Sequence, residues 1–393
     1  MINKVVSLEE AFMKEHYLHT KLCDLFGIEY PIILAGMGRT SGPALVAAVS
    51  NAGGLGVIGA TYLQPEQLRD WIKKTRQLTD KPFGVDLLVP RLAAADTYEE
   101  IKAQLPREHV EYVEKLKKEL EVPEPKGTAH RWMMSQELVQ GQLRVILEER
   151  PAVFTAGLGL PSEIVPELHE RGIKIISLVG NVRNARRVAE TGADVIVAQG
   201  HESGGHTGRI GTLALVPQVV DAVSPIPVVA AGGIADGRGL AAALSLGAVG
   251  ALVGTAFLVC EEASVDHISL GIMSQAYVDH WKQDILSATE EDACITRVYT
   301  GKTARHIKDK LIERWEEKDK FSTLAMPLQR ILIDDLIDGL SQAGKFEYLS
   351  GMAGQIAGMI KKTKTAKEVV GETVVMAIKI LEEMPSTYVR RKV

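Results

Sequence analysis

From Tyr30 to Phe257 the chain alternates short β-branched runs with longer amphipathic stretches rich in Ala and Leu. That alternation is the pattern of repeated βα units around a buried parallel sheet. Eight strands can be counted: Ile32–Ala35, Gly56–Ile58, Phe83–Leu87, Ala152–Thr155, Ile173–Leu178, Val195–Ala198, Val228–Ala230 and Ala251–Val253, each near a glycine or proline boundary. Eight units favour a closed (β/α)8 TIM barrel over an open doubly wound sheet. Helix starts and stops agree locally: Ser162 precedes Glu163–Arg171 with Gly172 after it, and Asp236 precedes an Ala-rich run closed by Gly247.

Two regions exceed a minimal barrel. Residues 91–149 form an insertion after the third strand, with a charged helical stretch at Tyr98–Leu120 and a proline-rich turn at Pro123 and Pro125. Loops that follow strands emerge at the catalytic face of such a barrel, so this insertion is expected over or beside the mouth; a solvated elaboration without a catalytic part is the alternative. From Glu261 onward the chain reads almost entirely helical. Val370, Val374, Ala377, Ile378 and Leu381 recur at helical spacing and should pack back on the barrel. The expected organisation is a barrel over 20–260, a helical substrate-side subdomain over 261–345 and C-terminal helices over 346–393.

Charge narrows the partners. A formal net charge of −5 provides no cationic field for a nucleic-acid backbone, so a small-molecule substrate is the better expectation. No run approaches the roughly 20 apolar residues that span a bilayer. The first stretch carries Glu9, Glu10, Lys14 and Glu15 and does not resemble a signal peptide, which points to the cytoplasm. Cys23, Cys260 and Cys294 lie far apart and read as reduced core thiols.

Chemistry concentrates in glycine-rich loops after the late strands. Val228–Asp236 runs from an apolar strand into Gly232 and Gly233, and Gly254 and Thr255 follow one unit later. Phosphate sites in these barrels form where side-chain-free backbone lets several N–H groups converge after strands seven and eight. The loop Gln199–Gly208 follows strand six and holds His201, Glu202, Gly204, Gly205 and His206. Its glycines prevent the helix that an HExxH zinc site requires, so no metal is expected. A loop histidine with an ordinary pKa of about 6.5 suits proton transfer; an exposed histidine without a role is the alternative. Gly54–Gly59 matches GxGxxG, but it leaves a helix and enters a strand, opposite to a dinucleotide fingerprint.

Several blocks in order resemble one family: Tyr30–Met37, Ser50–Gly56, Lys81–Val85, Ala198–Gly200, Glu202–His206, Ala230–Gly239 and Gly254–Thr255. They are similar to the FMN-dependent nitronate monooxygenases, once called 2-nitropropane dioxygenases, and to the related FMN-dependent enoyl-thioester reductases. The resemblance implies FMN across the barrel mouth, with Gly36 and Met37 against the isoalloxazine and Gln199 near its polar edge. It places the phosphate on the glycine pairs, Gly204, Gly205, Gly232, Gly233, Gly254 and Thr255 among them, and makes His206 the catalytic acid/base. Further family-like pieces are Thr296–Arg305 and Gly354–Gln355, with Gln355 returning toward the cofactor.

The chain departs from the family at Asp86, where an asparagine is common, and in its long insertion. A carboxylate normally only accepts hydrogen bonds and would bring negative charge near the flavin. Three functions follow as expectations. The leading one is oxidation of nitronates or nitroalkanes with oxygen. A second is reduction of an enoyl thioester, or dehydrogenation of an acyl-CoA, with NAD(P)H as co-substrate or another electron carrier. A third is a ligand-binding barrel without turnover. A homo-oligomer is compatible with all three.

Overall fold

The computed structural model describes residues 16–61, 63–89, 98–124, 136–271, 273–349 and 351–389. The N-terminal acidic stretch and parts of the insertion, Pro125 included, lie outside the described residues. Among the described residues eleven strands follow in chain order. They are β1 (Ile32–Leu34), β2 (Gly56–Gly59), β3 (Phe83–Leu88), β4 (Val153–Gly157), β5 (Lys174–Val179), β6 (Val195–Gln199), β7 (Gly205–His206), β8 (Val228–Ala231), β9 (Ala251–Val253), β10 (Ala293–Thr296) and β11 (Ala304–Ile307).

Eight of them form one parallel sheet in the order β1-β9-β8-β6-β5-β4-β3-β2. The ring closes where Leu55, just before β2, bridges Ile33 of β1. This is the (β/α)8 barrel that the alternation predicts. Because successive side chains on a strand point to opposite faces, each strand sorts its residues into two cores. On β6, Val195 and Val197 point inward and pack with Leu22, Cys23 and Phe26, while Ile196 and Ala198 pack outward under the helices. The helix Lys21–Phe26 thereby fills one end of the barrel, capped by the Thr20 hydroxyl and ended by Gly27 in the left-handed conformation.

The same parity positions the site. Continuing the inward row by two residues reaches Thr155 on β4, Leu178 on β5, Gln199 on β6 and Ala231 on β8, and all four line a cavity at the C-terminal mouth. Asp86 occupies the matching place on β3.

The span 91–149 divides in two. Its last helix, Gln136–Glu149, packs as a barrel helix: Gln142 donates to the carbonyls of Ala60 and Leu63 at 2.9 and 2.7 Å. The helix Arg107–Glu119 instead joins the tail, with Val113 and Leu116 in one cluster with Trp315, Leu332 and Leu336. Insertion and tail therefore share a second core, separate from that of the barrel. The helix Ala366–Tyr388 buries Val370, Val374, Ala377 and Ile378 in the cluster that holds the outward residues of the barrel strands. Its approach is close: a Cβ on Gly237 would lie 2.4 Å from the Ala377 amide nitrogen.

The tail is not wholly helical. β10 and β11 form an antiparallel pair, and β11 also pairs with β7 to make a three-stranded sheet outside the barrel. Their four-residue runs are too short to show a period of two against the helical background. Gly301, with φ at +74° in the intervening turn, was the local sign of a hairpin.

Candidate functional site

The mouth of the barrel opens into a cavity of about 370 Å³ that the barrel, the β7 loop and the tail all line. Of the residues singled out in the sequence, Gly36, Met37, Asp86, Gln199, Gly204, Gly205, His206, Gly232, Gly233, Gly254 and Thr255 come together on its wall. Gln355 does not: its side chain is exposed, while its neighbours Gly354 and Ile356 line the cavity.

His206 lies in neither a flexible nor an exposed loop. The β7–β11 pairing, with His206 opposite Ala304, pins it, and the Gln199 side-chain amide donates to its carbonyl at 2.7 Å. Its Nε2 is 3.1 Å from Thr300 Oγ1. The Thr300 hydroxyl donates to the Lys302 carbonyl at 3.1 Å, so toward His206 it is left to accept. The network thus assigns the proton of the neutral imidazole to Nε2 and leaves Nδ1 as the basic nitrogen. Burial first, and the Lys302 charge second, lower the His206 pKa to about 4. The ordinary value near 6.5 is therefore not retained, and at neutral pH the imidazole is uncharged.

A second histidine, unremarked in the sequence, lines the same cavity. His306 on β11 stacks on Tyr299 with ring centroids 4.6 Å apart and 10° between planes. Burial, then the neighbouring His206, depress it to about 3.

Asp86 also differs from its sequence reading. Its carboxyl is buried, and that burial alone pushes its pKa up to about 8. At pH 7 it is mostly a neutral acid that can donate one hydrogen bond, so it substitutes for an amide donor better than the sequence implies. Its side chain also explains Gly36: a Cβ there would lie 2.2 Å from the Asp86 Cβ.

The glycine-rich wall has a distinct chemistry. Among the described residues, the backbone N–H groups of Gly233 and Gly254 meet no protein acceptor, and they follow β8 and β9 respectively. Two orphan donors at a glycine-lined rim suit an anion with several oxygens. Gly233 has φ at +77°, and a Cβ there would come no nearer than 3.5 Å to Glu202, so space is left beside it. Gly204 is tighter, with Ala353 backbone 2.7 Å from such a Cβ. The Thr255 hydroxyl accepts from the Gly354 amide at 2.9 Å, and Glu202 O accepts from the Gln355 amide at 3.0 Å. These bonds fasten the tail segment to the mouth.

Glu202, a metal candidate by residue type, has another task. Its carboxylate accepts from the Thr212 amide at 3.0 and 2.9 Å and from the Thr212 hydroxyl at 3.0 Å, capping the helix Thr212–Val223. Among the described residues no group of three His, Cys, Asp or Glu side chains could hold a metal ion. No described helix is long and apolar enough to cross a membrane.

The nitronate monooxygenase family pattern matches residues 19–375. This chain belongs to the nitronate monooxygenase family. It is 34% identical over 88% of its length to the probable nitronate monooxygenase of Staphylococcus saprophyticus, covering 94% of that protein. Among solved structures it resembles FabK from Thermotoga maritima, with 32% identity, a TM-score of 0.71 and coverage of 94% of this chain and 99% of the other. It also resembles the nitroalkane oxidase of Streptomyces ansochromogenes, with 30% identity, a TM-score of 0.74 and coverage of 92% and 99%. Membership in the nitronate monooxygenase family makes the chain an oxidoreductase and makes the cavity at the barrel mouth its candidate active site.

Proposed function

We propose that the chain is an FMN-dependent oxidoreductase that oxidises nitronates, and more slowly nitroalkanes, with oxygen. The observation that carries this reading is the uncharged, half-buried His206 on a wall that also offers the orphan amides of Gly233 and Gly254. Those amides, with the Thr255 hydroxyl, would hold the phosphate, and Gly36, Met37, Asp86 and Gln199 would border the flavin ring. The bound flavin would accept the substrate's electrons and pass them to oxygen.

The protein's own part is orientation and proton handling. With its pKa near 4, His206 carries a proton in only about one molecule in a thousand at pH 7. It is therefore available to accept a proton through Nδ1, though as a weak base. A nitronate arrives already deprotonated and asks no proton transfer of this group; a neutral nitroalkane does. Hence the order of preference, nitronate before nitroalkane.

A second reading, reduction of an enoyl thioester with NAD(P)H, draws on the apolar extension of the cavity past Met273, Tyr277, Met326, Ile337 and Leu349, which has room for an acyl chain. It needs a proton donor, a role that the depressed His206 fills poorly.

Releasing the cofactor by denaturation should yield FMN and not FAD. Anaerobic mixing with propyl-2-nitronate, NADH, NADPH and a panel of acyl-CoAs should then bleach the flavin fastest with the nitronate. Fastest bleaching by NAD(P)H, followed by reoxidation with an enoyl thioester, would establish the second reading instead.

A further inference from the structure

The group behind a proton-transferring imidazole decides which ring nitrogen is basic, and a carboxylate commonly fills that place. Here a hydroxyl fills it. Among the described residues no carboxylate acts on the His206 ring; the charge that does belongs to Lys302, and Nε2 lies 3.1 Å from Thr300 Oγ1. Thr300 sits in the turn between β10 and β11, and that turn occupies the rest of its hydroxyl. The hydroxyl donates to the Lys302 carbonyl at 3.1 Å and accepts from the Lys302 amide at 3.3 Å, so one lone pair is left for the ring nitrogen.

The turn is held from both sides. Arg297 closes it by donating from Nε and Nη2 to the Gly301 carbonyl at 3.0 and 2.8 Å. Gly301 packs so tightly on the 324–326 backbone that a Cβ would lie 2.5 Å from the Leu324 carbonyl oxygen. Toward the barrel, β11 pairs with β7, and the buried Arg305 donates to the His201 carbonyl at 3.0 Å. Hydroxyl and imidazole are therefore fixed against each other by separate sets of bonds.

A neutral acceptor at this place has a specific effect on proton abstraction. As a nitroalkane gives its α-proton to Nδ1, the C–H electron pair moves onto the nitro group, and the ring becomes an imidazolium whose Nε2–H meets Thr300. That hydrogen bond changes from neutral to charge-assisted and becomes roughly twice as strong. It thus favours the transition state over the ground state, without the standing negative charge that a carboxylate would place near an anionic nitronate.

We propose that Thr300 is a positioning residue for His206, holding it in the Nε2–H tautomer and supporting its protonated form, a role in turnover that rests on His206 taking the substrate's proton.

Nitrogen NMR of the flavin-loaded protein with isotopically labelled histidine reads the tautomer directly, the His206→Asn variant identifying the signal. The wild type should show one tautomer, protonated at Nε2. Thr300→Val, which keeps the shape of the side chain and lacks the acceptor, should show both, and Thr300→Ser should restore the first. In steady-state assays Thr300→Val should lower kcat for a nitroalkane roughly tenfold more than kcat for its preformed nitronate, and Thr300→Ser should recover most of that loss. A merely structural Thr300 would give the opposite order, since valine keeps both branches of the side chain and serine loses one. Wild-type protonation at Nδ1, an unchanged tautomer in Thr300→Val, or a nitroalkane deficit as large in Thr300→Ser as in Thr300→Val overturns the proposal. If neither nitroalkane nor nitronate reduces the flavin, the nitronate reading fails, and the imidazole spectra alone decide on Thr300.

Discussion

Replacing Asp86 by asparagine keeps the shape of the side chain and removes its titration, so the effect on stability can be worked out from its environment. Unfolded, the carboxyl has its ordinary value of 3.8; folded, burial holds it near 8. Between those values the unfolded chain has released this proton and the folded chain has kept it. Stability must therefore fall as pH rises through that window, by about 1.4 kcal/mol per pH unit for this one group. Below pH 3.8 there is no such cost, at pH 7 it reaches roughly 4 kcal/mol, and above about pH 8 it stops growing. Asparagine carries none of it. Equilibrium urea unfolding of the flavin-free protein at pH 5, 6, 7 and 8 should show the Asp86→Asn variant gaining on the wild type by about 4 kcal/mol across the series. A difference between the two proteins that stays flat from pH 5 to pH 8 would refute the burial argument and mean that Asp86 is ionised in the fold.

His206→Asn should retain flavin and slow oxidation of a neutral nitroalkane by roughly 10²–10⁴-fold while affecting the preformed nitronate much less; steady-state rates with matched substrate pairs check this. In the wild type, the nitroalkane rate should hold steady from pH 8 to pH 5 and drop only as pH falls through about 4, where His206 takes up its proton. An inflection near 6.5 would show that burial does not control it. Gly233→Val should weaken flavin retention, measured by absorbance after dialysis, more than it lowers the unfolding midpoint, because its side chain would enter the space beside two orphan amides. Equal loss of both would mark Gly233 as a turn residue only, its φ of +77° being the cause.

Much of this molecule could be read along the chain because the forces concerned are local. The alternation of β-branched runs with amphipathic stretches located all eight barrel strands, with bounds shifted by a residue or two, since each strand answers to its own sequence. The pair Gly232–Gly233 after β8 and the single Gly254 after β9 announced backbone donors because a residue without a side chain has few other uses at a strand end. The capping residue Asp236 was legible for the same reason: its side chain accepts from Arg238 two positions away. Tertiary structure alone decided the chemistry of the ionisable groups. Neither Asp86 nor His206 carries any local sign of its shifted pKa, because desolvation depends on atoms brought from distant segments. The pinning of His206 needs β11, about a hundred residues later, and its tautomer needs Thr300. Arg39 and Arg330 lie nearly three hundred positions apart and line one cavity only because the tail folds over the barrel mouth. Sequence determines which groups are present and which backbone they ride on; how much water each one loses on folding, and hence its charge, is set by whatever packs against it.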